Sequence, residues 1–178
     1  MKFSAQREDI HQAVAAVQRA TATRVIQPIL SNILIESLDP DTLKLSATDL
    51  DFGIETTIPA KILEEGRTTL SAKKLAEILS KLPSNREISF EIEESVQTAR
   101  IQCGTALFDM RTLPADEFPQ IKQIDTQDFL AVDGKAFVRA INQTAFAAAS
   151  YDANNVLGGV YSSSMTTVWK WRLPMAPG

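Results

Sequence analysis

The chain is poor in the residues that build reactive sites. Its 178 residues hold one histidine, His11, and one cysteine, Cys103. A single cysteine makes no internal disulfide, which suits a reducing cytoplasm. One cysteine and one histidine make no zinc site. No apolar run approaches the ~20 residues that span a bilayer, and the opening MKFSAQRED lacks the apolar stretch of a signal peptide. The expectation is a cytoplasmic protein with no membrane partner. Glycine is sparse, with seven residues, and they form neither a phosphate-cradling loop nor a nucleophile elbow. No cofactor, metal or catalytic residue is expected, and nothing in the chain asks to be an enzyme.

What is present suits a globular protein: hydrophobic residues make up 44% and charged residues 22%. The net charge of −4 argues against a surface coated in nucleic acid, but the charges are segregated. Lys2, Arg7, Arg19 and Arg24 fall in the first 24 residues, and Arg67, Lys73, Lys74, Lys81 and Arg86 fall between 67 and 86. Between 36 and 55, by contrast, six acids face only Lys44. One basic face on an acidic body fits this pattern, and so does ordinary solvated surface.

Short alternating runs dominate. Leu43, Leu45 and Ala47 alternate, as do Phe52 and Ile54, then Ile88, Phe90 and Ile92. Ile101 and Cys103 follow, then Ala106, Phe108 and Met110. Period two implies antiparallel strands with one buried face. SLDPD at 37–41 and LPSNRE at 82–87 read as turns between them. Two stretches have helical spacing instead. Ile10, Val14 and Val17 form one; Leu75, Ile78, Leu79 and Leu82, stopping at Pro83, form the other. Ser71 is the expected N-cap of the second. Each helix follows a short strand, so the first 110 residues read as two strand–helix–strands units. The fold class is α+β, an antiparallel sheet with two helices on one side.

The pattern then restarts. A shift of 127 residues lays Val132 on Ala5, Phe137 on Ile10, Ile141 on Val14 and Leu157 on Leu30. This is an architectural repeat, and it places the start of a second domain of the same kind near Asp128. Pro114, Pro119 and the polar KQIDTQD mark the junction. Three candidate sites remain. His11 sits inside the first helix and suggests a surface or groove role. Cys103 belongs to a core strand. TDLD at 48–51 puts carboxylates on a strand connection, as a turn or as part of a cation site.

The phrases MKFSAQRED, PILSNILIE, LSATDLDFGIE, LSAKKLAEILSKLP, LFDMRTLPADEFP and YDANNVLGG, in this order, resemble the bacterial sliding clamp, the beta subunit of DNA polymerase III. The resemblance covers about residues 1–160. It implies the DNA-clamp fold: a ring of two three-domain subunits around duplex DNA, with helices lining the hole. It also implies a non-catalytic tether for DNA polymerase III, placed by a clamp loader. Carried over residue by residue, it makes Arg24 a DNA-contacting residue, with Arg7 and Lys73 on lining helices. Tyr151 falls at another DNA-contacting loop, where the family pattern leads one to expect glutamine. Lys74, Ile78, Leu82, Phe108 and Met110 match the edge that meets the neighbouring subunit of the homodimer, though the apolar four fit an ordinary core equally well. Leu157 matches one wall of the groove that binds polymerase and loader.

The resemblance stops at the tail, VYSSSMTTVWKWRLPMAPG. Shifting the frame by one base forces aspartate across Met165 and Thr166, glutamate across Trp169 and Lys170, and glycine across Met175 and Ala176. With the free third bases chosen, the run from Met165 becomes DNGLEMAATDGSR. Its Thr-Asp lies within about a residue of where the repeat places the counterpart of Thr48 and Asp49. The expected organisation is therefore a first clamp domain at 1–120, a linker and the opening of a second at 121–160, and an out-of-frame reading at 161–178. Such a truncated form is not expected to close a ring. The alternative is an interaction module that binds intact clamp subunits without encircling DNA.

Overall fold

In the computed structural model, which describes residues 1–22, 27–121, 132–148, 158–165 and 168–172, with backbone only beyond Ser162, the alternating runs are strands and the 3.6-period runs are helices. The first unit, Met1–Gln123, runs β1 (Lys2–Gln6), α1 (Arg7–Val17), β2 (Asn32–Asp39), β3 (Thr42–Thr48), β4 (Gly53–Pro59), β5 (Lys61–Glu64), β6 (Arg67–Ser71), α2 (Ala72–Lys81), β7 (Glu87–Glu93), β8 (Thr98–Cys103) and β9 (Ala106–Leu113). This is the expected α+β class with antiparallel strands.

The described strands of this unit form one sheet in the order β4-β3-β2-β6-β9-β8-β7-β1-β5. Each helix is entered from a strand that pairs with the strand leaving the other helix. β1 pairs with β7, and β6 pairs with β2. This exchange locks the two strand–helix–strands units together. The seam between them is short. β9 gives residues 106–111 to β8 and only Thr112 and Leu113 to β6. The sheet's outer strands, β4 and β5, are separated by Ala60 alone, whose N–H donates to the Asp41 carbonyl at 2.9 Å.

Apolar faces meet where the spacing put them. Ile10, Val14 and Val17 of α1 and Leu75 and Leu79 of α2 are fully buried against Ile33, Ile35, Leu43, Leu45, Ile88 and Ile101. Each such side chain is worth about 1.5–3 kcal/mol of transfer free energy. Phe3 stacks on Phe90 with ring centroids 4.6 Å apart. Cys103 is buried and free, as a strand residue of the core. Phe118, after β9, closes a smaller cluster with Ile29 and Leu30.

Two expectations need correction. Ser71 stands at the N-cap of α2, but its hydroxyl makes no capping bond. Ladder pairing with Asn32 holds Ser71 in β6 up to the first helical residue. Phe52 is not an inward strand residue. It lies in the turn before β4 and is exposed, because TDLD folds on itself. There the Asp49 carboxylate accepts from the N–H groups of Asp51 and Phe52, and Thr48 Oγ1 accepts from Leu50 N–H. The TDLD acids serve a turn.

The second unit, Ile124–Gly178, contains α3 (Gly134–Thr144) and a hairpin of β10 (Tyr161–Met165) and β11 (Val168–Arg172). Both bounds of α3 lie 127 residues after those of α1, and the 3-10 turn that follows, Ala145–Ala147, repeats Gln18–Ala20 at the same shift. The Asp133 carboxylate caps α3 by accepting from Ala136 N–H at 2.7 Å. The counterparts of the buried Ile10 and Val14 are less covered: Phe137 is 41% exposed and Ile141 half-buried.

Candidate nucleic-acid and subunit interfaces

The start of α1 is clasped to the chain leaving α2. Arg7 N–H donates to the Arg86 carbonyl at 2.8 Å, and Arg7 Nε donates to the Leu79 carbonyl at 3.1 Å. Leu79 lies in the last turn of α2, where its carbonyl also accepts from Leu82 N–H at 3.4 Å and where the helix end favours a cation. The Glu8 carboxylate accepts from Asn85 N–H at 2.7 Å. That bond, opposed by partial burial and helped by Arg7 and His11, holds the Glu8 carboxyl below its ordinary value. Arg7 thus ties the two helices together through Nε. His11 sits half-buried in α1.

Two rows of alternating charge cross the strands. Glu64, Lys2, Glu91, Arg100 and Asp109 are cross-strand neighbours on β5, β1, β7, β8 and β9, with alternating sign. Lys2 Nζ lies 2.8 Å from Glu91 and 3.6 Å from Glu64, and Arg100 Nε donates to Asp109 Oδ1 at 3.1 Å. The hydrogen bond from Lys2 lowers the Glu91 carboxyl, and the one to Asp109 raises Arg100. A matching row crosses the other half of the sheet. Arg67 faces Glu36, and Lys44 lies 3.3 Å from Glu36 and 3.2 Å from Glu55. Burial pulls the Lys44 amine down, but the bonds it donates to Glu55 and Glu36 outweigh that and leave it raised. Arg67 also pairs with Asp116.

The helix side differs. Lys81 pairs with Glu77, but Arg19, Lys73, Lys74 and Arg86 are exposed and make no ion pair among the described residues, Lys73 acting on Glu77 only through space. On the strands, Lys61 and Arg111 share that condition. The basic stretch 67–86 is therefore split, with Arg67 spent on the sheet and Lys73, Lys74 and Arg86 open to a polyanion.

Of the expected subunit-edge residues, Leu82 and Met110 are each only 6% exposed and belong to the core cluster. Lys74 is exposed, and Ile78 and Phe108 are half-buried. Phe108 and Met110 lie on the part of β9 that pairs with β8 on one side and with no described strand on the other. Arg24, Tyr151 and Leu157 lie outside the described residues.

Residues 1–122 match the family described as DNA polymerase III beta subunit, N-terminal domain. The chain belongs to that family. It is 35% identical over 161 residues to a beta sliding clamp of Caulobacter vibrioides and 31% identical over 163 residues to that of Synechococcus elongatus. Each alignment covers 90% of this chain and 43% of the relative. Among solved structures, a sliding clamp of Caulobacter crescentus superposes with a TM-score of 0.80 at 34% identity, over 91% of this chain and 44% of that one. A Bartonella birtlesii clamp bound to griselimycin superposes at 0.84 with 27% identity, over 96% and 45%. The chain thus spans less than half the length of these clamps.

Two features of this clamp-family unit were not legible beforehand. The clasp between Glu8 and Asn85 joins residues 77 apart in sequence. β5 has only four residues, KILE, too few to display a period.

Proposed function

We propose that this chain carries the N-terminal part of a sliding clamp subunit, whose work is to tether a DNA polymerase to duplex DNA and confer processivity without catalysis of its own. The observation that carries this reading is the division of charge within the first unit. Strand cations are mostly paired to carboxylates, whereas Arg19, Lys73, Lys74 and Arg86, in and beside the helices, are open. Phosphate contacts of that kind position a protein on DNA without reading sequence. Lys73 and Arg7 are the described residues assigned to DNA, with Arg24 and Tyr151 beside them. Lys74, Ile78 and Phe108, backed by Leu82 and Met110, form the subunit edge, and Leu157 belongs to the groove for polymerase and clamp loader. The setting is the cytoplasm, at the nucleoid when loaded.

In this reading 1–120 is the first clamp domain, 121–160 the linker and opening of a second, and residues from about 161 an out-of-frame text. The 178 residues alone do not close a ring. Sequencing the gene from the Asn155 codon to well beyond Gly178 tests the frame: clamp-like sequence in the shifted frame supports it, and confirmation of the present frame with nothing clamp-like beyond overturns it. In a subunit with the frame restored, Lys73→Gln should weaken DNA retention about equally on all sequences. It should also reduce the slope of log affinity against log salt by about 1. An unchanged slope removes Lys73 from the DNA face. The second reading, a module that docks on intact clamp subunits without encircling DNA, draws on the open β9 edge; co-purification with an intact clamp tests it.

A further inference from the structure

Resting on the reading of Leu157 as a groove residue, we infer that the first unit carries that groove's counterpart around Leu30, filled by the chain's own Phe118. The site is an apolar pocket for an aromatic side chain borne on an extended segment. The 127-residue shift lays Leu157 on Leu30, and the bounds of α3 and of the turn after it obey the same shift. Leu30 stands in the 3-10 turn Pro28–Ser31 that enters β2. Its carbonyl accepts from Ala22 N–H at 3.0 Å, a bond that fixes this wall without help from Phe118. Leu30 and Ile29 are buried in a cluster separate from the main core. Phe118 completes that cluster, with Ala22, Leu34 and Leu113 packed around it.

The segment that brings the ring is built like a docked peptide. Pro114 and Pro119 remove two backbone donors, and Pro119 keeps the residue before it extended. Phe118 has φ −76° and ψ 129°. Its N–H turns back to the Ala115 carbonyl at 3.1 Å, and among the described residues no strand pairs with 114–121. Between this segment and β2, β3 and β4 runs a cleft of about 680 Å³, lined by Leu34, Lys44, Ser46, Glu55 and Phe118. The segment is therefore held at points rather than packed along its length. Asp116 pairs with Arg67 in an exposed contact. Ile121 rests on the start of β4, where a Cβ on Gly53 would stand 3.1 Å from Ile121 Cδ1. The third point is the buried ring. One aromatic anchor on an extended segment is a common way for a linear peptide to fill an apolar pocket.

The ring is exchangeable in a way that core side chains are not. Withdrawing it leaves the cluster around Ile10, Leu45 and Leu75 complete. While Phe118 is seated, the pocket takes no other ring, so the first unit offers no open partner site here. With Phe118 gone, the same walls accept an aromatic residue from a second polypeptide.

The test uses the full chain, labelled for amide NMR, as wild type and as Phe118→Ala. The probes are two capped peptides: LPADEFPQI, which repeats residues 113–121, and LPADEAPQI, which lacks the ring. In Phe118→Ala the first peptide should give saturable shifts at Ile29, Leu30 and Leu34. It should bind at least about tenfold more tightly than the second, because the ring is the anchor. In wild type neither peptide should shift these amides. Far-UV circular dichroism checks that Phe118→Ala keeps the wild-type fold; a variant that does not fold makes the ring part of the core and overturns the inference. Equal binding of the two peptides, or no shift at Leu30 at millimolar concentration, overturns the pocket. The groove reading is checked apart from this, by Leu157→Glu in the frame-restored subunit, where loss of polymerase binding is expected. Retained polymerase binding overturns the counterpart relation, whatever Leu30 shows.

Discussion

Phe3 is the residue through which the first unit's strand exchange is best probed. It lies in β1, is 1% exposed, and faces Phe90 of β7 on one side and Ile62 of β5 on the other. The two rings are nearly parallel, with an interplanar angle of 7°. Phe3→Ala removes a buried ring from a site bounded by two strands, where collapse is restricted, so the expected loss is about 3–5 kcal/mol. A domain of this size holds about 5–15 kcal/mol in all, so the loss is a large share. The stacking itself is isolated by a double-mutant cycle of Phe3→Leu and Phe90→Leu, with an expected coupling of about 0.5–1.5 kcal/mol. Both tryptophans and both tyrosines lie at residue 151 or later, so tryptophan fluorescence does not report on this unit. Urea unfolding followed by far-UV circular dichroism does. A loss below about 1 kcal/mol for Phe3→Ala, or no coupling in the cycle, would refute the claim that β1 is locked into the other half of the sheet through this stack.

Two further outcomes are expected from local geometry. Glu8 titrates near 4.5 when unfolded and lower in the folded chain. Its bond to Asn85 N–H therefore contributes fully above the unfolded value and is lost as pH falls through the folded one. The gap in unfolding midpoint between wild type and Glu8→Gln should be constant near neutral pH and narrow below about pH 4.5; a gap independent of pH contradicts the clasp. Leu50 has φ 83°, in the left-handed region, and its side chain is exposed. Leu50→Gly should raise stability by up to about 1 kcal/mol, the relief of a strained L residue less glycine's greater chain entropy. A destabilised variant in chemical unfolding would show that the Leu50 side chain contributes packing here.

The legible parts of this fold were those written in local periodicity. Ile10, Val14 and Val17 marked α1, and Ile88, Phe90 and Ile92 marked β7, because a buried face repeats at the period of its own element. Repeat logic reached further. The 127-residue shift placed α3, since a helix with apolar residues at matching positions recurs. Candidate interface residues were harder to separate from core. Leu82 and Met110 carry the same apolar signal as Ile78 and Phe108, yet the first two are buried within the unit while the others keep exposed surface. No local pattern distinguishes a residue fully covered by its own sheet from one left partly exposed. Charge showed the same ambiguity. Arg67 and Lys73 sit in one basic stretch, but β6 carries Arg67 to Glu36 and Asp116, while Lys73 on α2 makes no ion pair among the described residues and reaches only Glu77, through space, which is itself paired to Lys81.

That last contrast explains how a chain with a net charge of −4 can belong to a family that works on DNA. Net charge sums over faces that solvent and geometry keep apart, and at physiological salt screening limits each face's reach to about 8 Å. On the strands, Glu36, Glu55, Glu64, Glu91 and Asp109 are engaged with Lys2, Lys44, Arg67 and Arg100, so these acids do little to cancel the cations of the helices. The same rows fix strand register, because a slip of two residues keeps each side chain on its face but sets Arg100 opposite Leu107 or Arg111 in place of Asp109. One set of ion pairs therefore serves both purposes: it specifies the sheet and leaves the helix side electrostatically distinct. Were the strand cations replaced by neutral residues, the acids would be freed to repel one another across the ladder, and the sheet would lose register before the helix face lost its charge.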